Sequence, residues 1–240
     1  MRVEPDTSPR RQPRQERADR TVQALLDATA VVLVRDGYDG ASTNRIAREA
    51  GLSIGTLYQY FPNKEAVVLA LARRNGEQEV ADVRTTLQLL PEAPLPEVAK
   101  RLISALIERH RVNPALHRVF ITQVPQIGGL SGIREMDERT AVLLSEHMQQ
   151  RRPHLSPEDI KRQVFVVMHA AEGLVHQAVI EHPAYLDDPA FARELVHLVV
   201  SYLGDDDDDG DDGDDGPHRK DRTNALDAIP YSHPVPEEQS

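Results

Sequence analysis

Apolar residues in this chain recur three and four positions apart, the spacing of one helical face, and nowhere alternate with the period of two expected of a strand. From Asp19, a plausible N-cap, Val22, Leu25, Leu26, Val32 and Leu33 share a face, and Gly37 follows as a C-terminal stop. A short helix fits residues 43–50, capped by Ser42 or Thr43, with Ile46, Ala47 and Ala50 turned inward and Gly51 breaking it. A third helix begins after Ser53 and buries Leu57 and Phe61 one turn apart. It ends before Pro62, because the residue preceding a proline is driven out of the helical region. Asn63 can cap a longer fourth helix carrying Val68, Leu71, Val80, Val83 and Leu87.

Pro91, Pro94 and Pro96 punctuate the next connection. Helical patterns then run over about 96–112, 114–125, 132–151, 156–182 and 188–203. Ser156-Pro157-Glu158-Asp159 is a capping box with proline at the first helical position, and Asp188-Pro189 repeats the cap-then-proline device. No internal repeat is visible, and the fold class is all-α.

Composition changes this picture in three places. The 240 residues contain no cysteine, which excludes disulfides, thiolate catalysis and cysteine-ligated metals, and suits a reducing cytoplasm. No apolar run approaches the ~18 residues of a membrane span, and Met1–Asp6 is not followed by a signal-like stretch, so no membrane partner is expected. The net charge of −11 is unevenly spread. Residues 1–76 hold twelve Lys/Arg against nine Asp/Glu, net +3, and residues 77–203 are net −4. Residues 204–240 are net −10, with Asp205–Asp209, Asp211, Asp212, Asp214 and Asp215 separated only by glycine. Residues 1–18, with Arg10, Arg11, Arg14 and Arg17, read as a disordered basic arm suited to a phosphate backbone. Residues 204–240 read as a disordered tail, solubilising by default and otherwise a competitor for the basic face.

The segment from Ser42 to Phe61 carries the chemistry. Two short helices around a glycine turn, crossing at small Ala47 and joined by Ile46, Leu52 and Leu57, have helix-turn-helix geometry, in which the second helix enters the major groove of DNA. That helix offers Ser53, Gly55, Thr56, Tyr58 and Tyr60, small or hydroxyl-bearing residues that permit close approach and hydrogen bonds to phosphate or base edges. Lys64 opens the next helix, where its charge and the helix N-terminus both favour a phosphate. The alternative is an ordinary helical hairpin; two exposed tyrosines and flanking cations on one element weigh against it.

Residues 19–65, above all Gly51-Leu52-Ser53-Ile54-Gly55-Thr56-Leu57-Tyr58-Gln59-Tyr60-Phe61-Pro62-Asn63-Lys64-Glu65, resemble the DNA-binding domain of tetracycline-repressor-like (TetR) regulators. The resemblance includes the Asp36-Gly37-Tyr38 corner. It implies a homodimer that binds a palindromic operator on double-stranded DNA, and a helical ligand-binding and dimerisation domain (66–203) whose small-molecule effector releases the DNA. It places DNA contacts on Thr43, Arg45, Ser53, Ile54, Gly55, Thr56, Tyr58, Tyr60 and Lys64. Thr43, Tyr58, Tyr60 and Lys64 would hold phosphates, while Arg45, Ile54, Gly55 and Thr56 would face bases. Ile54 is apolar where some members carry a polar reader, which favours thymine-methyl contact. Residues 182–203 resemble the last helix of many members and, with the helix at 156–182, would form the dimer interface.

His169, Glu172 and His176 lie along one face of the 156–182 helix. They fit a polar anchor in a ligand pocket, a metal site, or an ordinary polar face. Residues seven apart stand ~10.5 Å along the axis, too far to share one ion readily, so no metal is expected, and no cofactor motif appears. His110, His117 and His147 show no ligand spacing. Without an assembled acid/base or nucleophile set, an enzyme containing a helix-turn-helix is a weaker reading than a regulator. A ligand-independent DNA binder is the other rival, distinguished by lacking a pocket in residues 77–203.

Overall fold

The computed structural model describes residues 13–204, which form nine α-helices and a single 3-10 turn, with no strand among them. The Asp-rich tail and all of the expected arm before Pro13 lie outside the described residues. Helix α1 (Pro13–Gly40) begins ahead of Asp19, so residues 13–18 belong to the helix and Asp19 is interior to it. The Arg20 guanidinium stands 3.7 Å from Glu16 one turn away, and Thr21 Oγ1 donates to the Arg17 carbonyl at 2.8 Å. Opposite charges at this spacing support a helix that has little to bury. The helical path breaks at Gly37 (φ 71°, ψ 177°), a backbone region open to glycine and strained for other residues.

The caps read from the sequence set the next three helices. Ser42 accepts the Arg45 backbone N–H to start α2 (Thr43–Glu49), Ser53 accepts Thr56 N–H to start α3 (Ile54–Tyr60), and Asn63 accepts Ala66 N–H to start α4 (Lys64–Leu89). Between α2 and α3, Gly51 at φ 66° reverses the chain, and Leu52 N–H returns to the Ala47 carbonyl at 2.9 Å. Leu25, Leu26, Val32 and Leu33 of α1 close over Ile46, Ala47, Leu57 and Phe61, all buried. Burial of this kind makes Leu57→Ala cost about 2–5 kcal/mol.

Two features depart from a two-domain chain divided at residue 65. Helix α4 runs unbroken across that point. The front core also includes Leu116 and Val119 of α6 (Pro114–Gln123), together with Val124, so a helix of the body completes the core of the front. The second core joins α5 (Leu95–Val112), α8 (Pro157–Glu181) and α9 (Pro189–Gly204) through Ile103, Ile107, Val175, Val179, Leu195 and Val199. Helix α7 (Leu130–Arg151) packs against α4 and α8. A Cβ on Gly76 of α4 would stand 2.8 Å from Met136 Cγ of α7, so glycine lets the two helices approach.

Helix α8 is more apolar than the sequence reading allowed. Its mean hydropathy reaches 1.2 over 18 residues, enough by length and composition alone to cross a membrane. Here one side packs into the core, and Glu172 and His176 interrupt the other apolar positions.

Candidate nucleic-acid interface and interior polar site

Helices α2 and α3 present one hydroxyl-rich surface. Thr43 Oγ1 and the Tyr58 hydroxyl lie 3.2 Å apart, linking the start of α2 to the outer face of α3. Ser53 Oγ and Thr56 Oγ1 lie 2.8 Å apart at the start of α3. Ser53, Ile54, Gly55 and Tyr58 are exposed, whereas Tyr60 packs partly against the front core. A Cβ on Gly55 would meet only Ser53 Oγ, at 3.7 Å. Nothing inside the protein needs a glycine there; the open space faces outward, where an approaching partner would use it. Asn44, exposed beside Thr43, was not singled out from the sequence, although its amide suits an adenine edge.

The two cations of the set are held rather than loose. Lys64 Nζ donates to the Tyr38 carbonyl at 3.0 Å and sits 4.0 Å above the Tyr38 ring, while the Tyr38 hydroxyl donates to Glu65 at 3.3 Å. This clamp fixes the ammonium at the N-terminus of α4. Arg45 turns back from α2 to Asp36 and the Gly40 carbonyl.

Inside the body the helices gather groups that are far apart in sequence. The rings of His110 and His117 lie 4.2 Å apart, and His176 stands 5.2 Å from His110. His110 Nδ1 pairs with the Leu106 carbonyl at 2.9 Å. Burial pulls His110 down to about 4 and His117 to about 3, and lowers His176, so these imidazoles are neutral near pH 7. Beside them Arg109 pairs with Asp82 at 2.5 Å and approaches Glu79 at 4.0 Å. Burial, reinforced by Glu79 and Asp137, pushes Glu172 up to about 8. Of the three residues the sequence offered on α8, Glu172 and His176 are half-buried in this group. His169 is exposed, with its ring stacked 4.3 Å from Phe165. Their partners His110, His117, Arg109, Glu79 and Asp137 come from four other helices, which is why His110 and His117 show no ligand spacing in the sequence and the other three carry no signal there.

Across α8 and α9, Val166, Leu174, Leu198 and Tyr202 remain exposed. Leu195, within the segment expected to form the dimer interface, is instead 2% exposed and belongs to the core.

An all-helical body behind an exposed, hydroxyl-rich helix-turn-helix defines a DNA-binding transcriptional regulator. Residues 25–71 match the model of the tetR family of bacterial regulatory proteins, and residues 94–203 match a tetracyclin repressor-like C-terminal domain. The chain belongs to the tetR family. An uncharacterized HTH-type transcriptional regulator of Mycobacterium tuberculosis (strain H37Rv) is 31% identical over 130 residues, 53% of this chain and 59% of its own length. The transcriptional repressor KstR of Rhodococcus jostii is 39% identical over 115 residues, 48% of this chain and 51% of its own. The chain thus spans a little over half the length of these curated relatives. The regulator FadR from Bacillus subtilis, solved in complex with stearoyl-CoA, shares the fold at a TM-score of 0.60 and 20% identity, over 75% of this chain and 98% of that one.

Proposed function

We propose that the protein is a homodimeric transcriptional repressor that binds a palindromic operator in the cytoplasm and is released by a small-molecule effector. The carrying observation is the outer face of α3, where Ser53, Gly55, Thr56 and Tyr58 combine open space with hydroxyl donors, beside the clamped Lys64. Thr43, Tyr58, Tyr60 and Lys64 take phosphates; Arg45, Ile54, Gly55 and Thr56 face bases. The exposed apolar residues of α8 and α9 support dimerisation through residues 156–203, since a two-fold dimer presents two such helices to major grooves about one turn apart. Footprinting tests this reading: a symmetric protected site is expected, and protection without two-fold symmetry at every salt concentration overturns it.

The effector site is the interior group around Glu172 and His176, with His169 at its exposed edge. Neutral imidazoles and a carboxyl raised to about 8 offer hydrogen bonds without fixed charge to a largely apolar ligand. Relatedness to a repressor, KstR, and likeness to a regulator solved with an acyl thioester ligand support the ligand-responsive reading. A thermal-shift screen tests it: a stabilising compound should lose its effect in His176→Ala and also lower DNA affinity.

A further inference from the structure

At the corner between α1 and α2, two guanidiniums are arranged around one carboxylate. Asp36 accepts Arg35 Nε on one oxygen at 2.9 Å and Arg35 Nη2 on the other at 3.1 Å. The second oxygen also accepts Arg45 Nη1 at 3.2 Å, and the same nitrogen donates to the Gly40 carbonyl at 3.0 Å. Arg35 Nη1 extends to Glu49 at 2.8 Å, so the arrangement braces α1 against α2. The Asp36 side chain is 17% exposed and each arginine 53%. The carboxylate is the sheltered element, and both guanidiniums reach into solvent. Arg35 first, then Arg45, holds the Asp36 carboxyl below the usual range, which keeps it ionised.

The direction of the Arg45 side chain matters. Its contact with the Gly40 carbonyl holds the guanidinium two residues ahead of Ser42, the N-cap of α2, and Thr43, the first residue of that helix, meets Tyr58 of α3. Nη1 makes both internal bonds, and among the described residues the Nε and Nη2 donors of this oriented plane meet no acceptor, so they can serve one from outside. Gly40 leaves room for this: a Cβ there would stand 3.1 Å from Asp36 Cβ and 3.8 Å from Arg45 Nη1. Arg35, Asp36, Arg45, Arg48 and Glu49 together line an open groove of about 400 Å³.

We propose that Asp36 is a positioning residue for DNA recognition: it fixes the Arg45 guanidinium at the DNA-facing end of α2, and so adds to the preference for the operator over other duplexes. This rests on reading α2 and α3 as the DNA interface. The proposal makes an acidic residue favour binding to a polyanion, and that gives the test its sign. As a plain charge, Asp36 repels every duplex alike, and removing it strengthens all binding. As a positioning group, its removal weakens binding only where Arg45 must meet a defined acceptor.

The full-length protein first selects a duplex from a randomised library, and a scrambled duplex of the same length and composition serves as the non-specific probe at matched salt. Asp36→Asn should weaken binding to the selected duplex by about 3- to 10-fold, the worth of one hydrogen bond. Binding to the scrambled duplex should be unchanged or stronger. The Asp36→Asn/Arg45→Ala double variant should bind the selected duplex no more weakly than Arg45→Ala alone, since the two act as one unit. Arg45→Lys supplies a second route should Asp36→Asn melt early, because an ammonium keeps the charge and loses the planar fork. It should lose preference for the selected duplex while holding the scrambled one. Equal strengthening on both duplexes, equal weakening on both, or additive losses in the double variant each overturn the proposal. If the wild-type protein selects no duplex, the DNA-binding reading itself fails, and this is seen before any variant is made.

Discussion

Gly55 separates the requirements of the protein from those of its partner. An added methyl meets nothing closer than Ser53 Oγ at 3.7 Å, and alanine is the better helix former by at most about 1 kcal/mol. Gly55→Ala should therefore leave the melting temperature unchanged or slightly raised, while reducing DNA affinity at least tenfold in a titration. A variant that binds DNA as well as the parent would remove Gly55 from the interface. Lys64→Ala should weaken all duplexes alike and lower the slope of log K against log salt by ~0.9, one phosphate contact. A changed base preference at unchanged affinity would contradict that role. Glu172 sets the pH response on the alkaline side. Its folded value of about 8 lies above the ordinary 4.5, so the folded state binds its proton more tightly. Its contribution is complete at low pH and is lost progressively as pH rises from about 4.5 to 8. Glu172→Gln should raise the melting temperature by several degrees at pH 8.5, on the order of 2 kcal/mol after allowing for its residual solvent contact. The gain should shrink towards pH 4.5, and a constant gain across that range would show that the carboxyl is not the cause. The histidines act on the acid side: His110, lowered from 6.5 to about 4, contributes stability above pH 6.5 that fades as pH falls through that interval.

Among the elements, α8 and α9 divide their apolar residues between two surfaces. Leu195 and Val199 of α9 face the core, while Leu198 and Tyr202 are exposed, as are Val166 and Leu174 of α8. The interface test must therefore use outward residues, since glutamate at Leu195 would unfold the protomer and say nothing about association. Leu174→Glu with Leu198→Glu should give a helical monomer by sedimentation and circular dichroism, because paired carboxylates cannot be desolvated across an apolar contact. An intact dimer would place the interface elsewhere. Helix α1 teaches a related lesson about sequence signals. Asp19 reads as a cap because the apolar pattern begins just after it, yet the helix already includes residues 13–18, with Glu16 and Arg20 paired along a face that buries little. Hydrophobic periodicity marks where a helix packs, which need not be where it begins.

On the scale of the molecule, the front and the body share a helix and a core. Helix α4 crosses from one to the other, and Leu116, Val119 and Val124 pack with Leu25, Leu26 and Leu71. A chain truncated after residue 90 should lose those contacts and expose the α1 surface they cover. It should melt at least 10 °C below the full-length protein, or fail to show cooperative melting at all. Comparable stability and DNA affinity would mean that the front folds independently. The same continuity makes one short helix, α6, contribute His117 to the interior histidine group and Leu116 and Val119 to the front core.

Local physics determined much of this protein from its sequence. Helix periodicity, the serine and asparagine caps, the left-handed glycine at Gly51 and the proline stops each act within a few residues, so the all-α class and the helix-turn-helix were legible, as was the hydroxyl-rich face of α3. Tertiary structure alone decided what depends on distant segments meeting. It brought His110, His117 and His176 together from three helices, buried Leu195 while leaving Leu198 exposed, and completed the front core with α6. It also turned Arg45 back onto Asp36. Spacing along a chain fixes which residues share a helical face. Which face meets which is set by how the nine helices of the described residues satisfy two cores at once, and no single helix carries that information.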